Sequence, residues 1–443
     1  MSIKSSSGLL SAFSDHLSAS QGTWKSSAAE DITTQVGSII RENGLDIDSI
    51  RQDYFHNIHV WFPILAGDRI HRGLENFTAQ PCSELAGLLL SMALVTRYPG
   101  KPGDNTPVQA PMYFEAKALY SALVSSGYSQ LDVMQMGILI SLYEQGQGMT
   151  ENAKLTMSTC ARLAIKLNIQ QRKLQIANIQ DSEFGRSWWG LVILDRFMNL
   201  GVPPEEVHLV ADSLILRNLH LELPNDDEEY QGAGTQYPCT PSGMAIRQPT
   251  TLLGPFCRTA QAADLLGQVL ELVVRSTIAG RFDHAVWMPL DKQLHELALS
   301  LLQQAINGWE ECCASIAVCL SALLTLHLAR KQIPSADETD HETAMLAMKS
   351  AIRMVVEISR KFLMDIEYIE LPSLPLPATF TTYQAALLHI HLARGNEIHS
   401  PEWIDDFTLL KGALGGFTRR WDVGTPYLES LDRALMQATQ QLV

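Results

Sequence analysis

The chain has 443 residues, of which 46% are AVILMFWYC and 18% are charged. This is enough apolar material for a substantial core, and it rules out disorder of the chain as a whole. The charge balance, 33 − 48 = −15 with neutral histidine, excludes a surface that is basic throughout and built for duplex nucleic acid. Seven cysteines in this length exclude a disulfide scaffold and fit a reducing compartment.

In chain order, residues 1–30 are Ser-rich and read as a poorly ordered leader, and residues 31–443 as a single large helical domain. No apolar run follows Lys4 as in a signal peptide. The most apolar stretches, Leu131–Tyr143 and Ser315–Leu328, are shorter than the roughly 18 residues of a membrane span and carry polar interruptions. The expected location is the nucleus or the cytoplasm.

Tyr54–Leu65 reads as a helix running into a corner at Pro63, anchored by Tyr54, Phe55, Trp61 and Phe62. Pro99–Pro111, with four prolines and two glycines, is a loop. Leu131–Leu142 is apolar nearly all round, the mark of a central helix. Trp188 and Trp189 offer large apolar areas, each worth about 1.5–3 kcal/mol or more when buried. Asp195 and Arg196 interrupt the same apolar helix, so they need partners, expected at neighbouring helix ends.

Val207–Leu216 is the one fair strand candidate. Leu223–Pro249, with the acidic run Asp226–Glu229, is a second long loop. Helical periodicity resumes over Thr251–Ile278, Leu294–Ala305, Ala344–Phe362 and Phe380–Leu392. Pro334–Asp340 and Leu371–Pro377 are shorter breaks. The fold class is all-α, a multi-helix bundle with long irregular loops.

Chemical signatures are scarce. Nucleophile-elbow, phosphate-loop and dinucleotide-binding glycine motifs are missing from the sequence. His341-Glu342 and His295-Glu296 each lack the second histidine of a helical zinc motif. His56 and His59 could share a helix face, but two imidazoles do not complete a zinc site. Cys312, Cys313 and Cys319 lie in an apolar helix, where cysteine packs as a small hydrophobe. The expectation is therefore no metal and no cofactor.

Four segments in fixed order carry more information. They are Tyr54-Phe55-His56-Asn57-Ile58-His59-Val60-Trp61-Phe62-Pro63, then Leu131–Gly148 continuing to Ala161–Ile169. Next comes Arg186-Ser187-Trp188-Trp189-Gly190-Leu191-Val192-Ile193-Leu194-Asp195-Arg196, and last Leu374-Pro375 followed by Tyr383–Leu387. Together they resemble the middle homology region of fungal zinc-cluster transcription factors, the fungal-specific transcription factor domain, over about residues 50–395.

The resemblance implies an all-α scaffold in which Tyr54, Phe55, Trp61, Phe62, Pro63, Trp188, Trp189, Asp195 and Arg196 serve as structural motif residues. It also implies control of transcription and sensing of small molecules. The family's six-cysteine zinc cluster has no counterpart here, since the first cysteine is Cys82. The expected function is a regulatory protein without its own DNA-binding module, in control of a secondary-metabolite pathway. It would act through a protein partner and a small-molecule ligand, with a homodimer compatible and no direct sequence-specific DNA binding.

An alternative makes the same scaffold an enzyme or small-molecule binder. Acid–base groups would come from His56, His59, His208, His220 or His284, supported by Tyr143 or Asp195. A hollow between the Leu131–Leu142 and Trp188–Arg196 helices would favour it. A third reading places the missing cysteines upstream of Met1.

Overall fold

The computed structural model describes residues 24–98, 111–127, 130–174, 179–212, 224, 253–305, 309–333, 338–393 and 395–440. Every regular element among them is helical and none is a strand, as the spacing of apolar residues predicts. The chain groups into two compact units. One holds residues 1–191, 210–219 and 227–236, and the other residues 192–209, 220–226 and 237–443. The sequence reads as a single domain because the boundary falls inside an apolar helix, with no change of composition to mark it.

In the first unit α1 (Trp24–Glu42) turns Ile32, Val36, Ile39 and Ile40 inward. Residues 24–30 thus belong to a helix and not to a leader; residues 1–23 lie outside the described residues. Asp46 caps α2 (Ile47–Asp53) by accepting from the Ser49 N–H at 2.9 Å. Tyr54–Ile58 then widens into a π-helical turn, His59–Trp61 returns to α geometry, and Phe62-Pro63 make the corner.

There follow α3 (Gly67–Glu75), α4 (Ser83–Thr96), α5 (Pro111–Ser125), α6 (Leu131–Gly146), α7 (Thr150–Leu174) and α8 (Ile179–Met198) up to Leu191. The apolar α6 is central as expected, packed on α4, α5 and α7. Gly137 permits that approach, since a Cβ there would stand 2.5 Å from Tyr120 Oη and Cys160 Sγ.

The second unit begins with the last turns of α8. It continues with α9 (Pro255–Ala279), α10 (His284–Ala305), α11 (Trp309–Gln332), α12 (Glu338–Asp365), α13 (Leu376–Leu392), α14 (Pro401–Thr418) and α15 (Gly424–Gln440). Here α11 is central, in contact with α9, α10, α12 and α13. Its Cys312–Gln332 stretch is long and apolar enough to cross a membrane by length and composition, longer than the run apparent in the sequence. Its most apolar window is 89% buried against neighbouring helices, the position of a core helix.

The strand candidate is corrected. Val210–Asp212 forms a single 3-10 turn, residues 207–209 are irregular, and residues 213–216 lie outside the described residues. With no neighbouring strand to bond, β-branched spacing alone does not make a sheet. Of the two long loops, only Pro111, the first residue of α5, and Pro224 are described.

Candidate functional site

The corner after Trp61 is fixed by buried polar side chains of the first unit. The Ile64 carbonyl accepts from Gln135 Nε2 at 2.9 Å and from Ser187 Oγ at 3.2 Å. Glu183 accepts the Ala66 N–H at 2.9 Å and the fork of Arg69 through Nε and Nη2, both at 2.9 Å. Arg69 Nη1 also reaches Asp132 at 2.6 Å. Gln135 on α6 bonds Ser187 on α8 at 2.9 Å. The arrangement is a bidentate ion pair serving as a structural tie. A second tie surrounds the buried Glu144, which accepts from Tyr113 at 2.8 Å, Thr156 at 2.6 Å and Lys117 at 2.5 Å.

The acid–base candidates fall on separate features. His56 is exposed on the π-helical turn, while His59 is buried with its ring centroid 4.7 Å from that of Phe55. Tyr143 is buried and stacks on Tyr113 at 5.7 Å. In the second unit Asp195 Oδ2 accepts from its neighbour Arg196 Nη1 at 2.6 Å. His208 is exposed, and its backbone N–H donates to Asn199 Oδ1 at 2.9 Å. His284 lies edge-on to Phe282 and Trp287. His220 lies outside the described residues. The scaffold residues Tyr54, Trp61, Phe62, Pro63, Trp188, Trp189, Asp195 and Arg196 are buried, and Phe55 is half-buried.

A cavity of about 370 Å³ lies elsewhere, in the second unit. Its walls are α10 through α14. Cys313 and Ala317, one turn apart on α11, and Ala378 on α13 are small residues on facing helices, and their missing volume opens the space. Phe362 and Phe417 close one side, stacked at 4.7 Å and 6°. Buried Ser359 and Thr382 add hydroxyls to the lining, and Thr382 donates to the Ala378 carbonyl at 2.8 Å. Exposed Arg353, Glu357 and Lys361 on α12 form a charged rim.

The size is that of small-molecule sites, which are mostly apolar with a few polar groups that set orientation. None of the acid–base candidates named from the sequence lines the cavity. The sequence signal for it was faint: the small residues Cys313, Ala317 and Ala378 at turn-spaced positions on long apolar helices.

The described residues form an all-helical scaffold with tied corners and an apolar cavity. Residues 52–261 match the family described as the fungal specific transcription factor domain. That match covers a little under half of the chain and supports a transcription-factor-like regulator. The chain is also similar to "Transcription factor BOA15" of Botryotinia fuckeliana (strain B05.10), at 27% identity over 147 residues, which is 32% of this chain and 80% of that protein. No solved structure matches. The chamber, built from residues 302–417, lies beyond the matched segment.

Proposed function

We propose that the chain is a nuclear transcription regulator that takes a small apolar effector into the α10–α14 chamber. The observation that carries this reading is the chamber itself, about 370 Å³ with an apolar lining and a charged rim. Signalling follows if the ligand binds one arrangement of these helices better than another, since only differential affinity shifts an equilibrium. The output passes to a protein partner and is not read from DNA by these residues. The net charge of −15 and the absence of any basic run in the sequence support that route. Secondary metabolism suits such a sensor, because its products include apolar molecules with a single polar end.

The test is transcript profiling of cells that lack the gene, complemented with wild type or with Ala317→Phe, which fills the chamber. The reading expects a defined gene set to lose its regulation in the deletion and to stay locked in one state with A317F. Full rescue by an A317F protein present at wild-type level would overturn it.

A further inference from the structure

Asp291 and His295 stand four residues apart on α10, so their side chains share one helix face. His327 reaches the same point from α11. Asp291 Oδ1 is 3.3 Å from His295 Nδ1 and 3.1 Å from His327 Nε2. One ligand atom from each of the three residues lies within 4.8 Å of the others. Ligand atoms held at about 2.0–2.2 Å from a tetrahedral ion stand about 3.3 Å from one another, and the two distances from Asp291 Oδ1 are close to that.

One observation separates this cluster from an ordinary ion pair. The His327 side chain is 2% exposed, yet neither of its ring nitrogens has a hydrogen-bond partner among the described residues. Nε2 is near Asp291 Oδ1 but does not point along the contact. An imidazole so deeply buried is costly to leave without a partner. The half-exposed His295 leaves an entry path from solvent. Nearby Arg330, one turn further along α11, turns its charge onto the Trp287 ring, 4.0 Å from the centroid.

We propose that Asp291, His295 and His327 bind a divalent d-block cation, zinc by ligand type, with solvent in the fourth position, clamping α10 to α11. Two imidazoles and one carboxylate suit zinc, whereas magnesium and calcium favour all-oxygen shells. His295 Nδ1 also lies 2.9 Å from the Asp291 carbonyl, so capture of the ion at this nitrogen releases the proton held there. This inference is independent of the effector reading.

The experiment uses the full chain, stripped with EDTA and titrated with zinc chloride by calorimetry in two buffers of different ionisation enthalpy. Thermal melts and cobalt(II) absorption spectra are recorded alongside. The proposal expects roughly one equivalent bound with proton release and a raised Tm. It also expects cobalt d–d bands without thiolate charge transfer. In His295→Ala and Asp291→Asn, both at partly exposed positions, affinity should fall roughly tenfold or more and the zinc-dependent Tm rise should vanish. His327→Ala is not needed, so unfolding of a core variant does not confuse the outcome. No zinc effect on wild type, undiminished binding in both variants, or a thiolate charge-transfer band would each overturn the proposal.

Discussion

Glu183 shows how a single side chain can hold a corner of the chain. It receives three N–H groups from Ala66 and Arg69 and lies 3.0 Å from Gln135 Nε2. Glu183→Ala leaves these donors buried and the Arg69 charge short of its main partner. The expected loss is about 3–5 kcal/mol in urea unfolding, with near-zero change marking the tie as unimportant. None of this was legible in the sequence, because Ala66 and Arg69 lie 117 and 114 positions from Glu183. By contrast, the need of Asp195 and Arg196 for partners was legible, but the partners were expected at neighbouring helix ends, whereas Asp195 accepts from the adjacent Arg196.

A pH prediction belongs at this scale too. The hydrogen bond to Asp291 raises the His295 pKa above its ordinary value, against burial. The folded state therefore holds the proton more tightly than the unfolded one. The stabilisation is fully present below about pH 6.5 and is lost as pH rises through the elevated folded value. With EDTA present, the stability gap between wild type and His295→Gln should shrink from about pH 5.5 to about pH 8.5. A gap that widens with pH would contradict the assignment.

Helices packed against one another carry the next level. Gly416 on α14 faces Phe362 on α12, and a Cβ at that position would stand 2.7 Å from the ring. Gly416→Val overpacks this contact, and the loss expected in thermal or urea unfolding is about 1–3 kcal/mol. A neutral result would show that the two helices can separate at no cost. Long apolar or amphipathic helices were readable from their periodicity, as the central placement of α6 illustrates. The Val207–Leu216 candidate failed because strand formation depends on a partner strand that local sequence does not reveal. The chamber was hard to foresee for a similar reason. A small residue such as Ala317 reads equally well as tight packing or as one wall of a cavity, and only the facing Ala378 decides which.

At the scale of the whole molecule, the order of the Tyr54–Pro63, Leu131–Ile169 and Trp188–Arg196 blocks pointed to the domain matched at residues 52–261. The division into two units was hidden because its boundary lies within α8. The acid–base candidates were chosen by residue type, and the structure places them on separate features while the chamber lies among α10–α14.

The most direct measurement is equilibrium binding of an environment-sensitive apolar fluorophore to the purified chain, comparing wild type with Ala317→Phe at matched Tm. The account predicts saturable binding to wild type that is lost in the variant, whose added ring occupies the space. Equal binding by both proteins, or none by wild type, would contradict it.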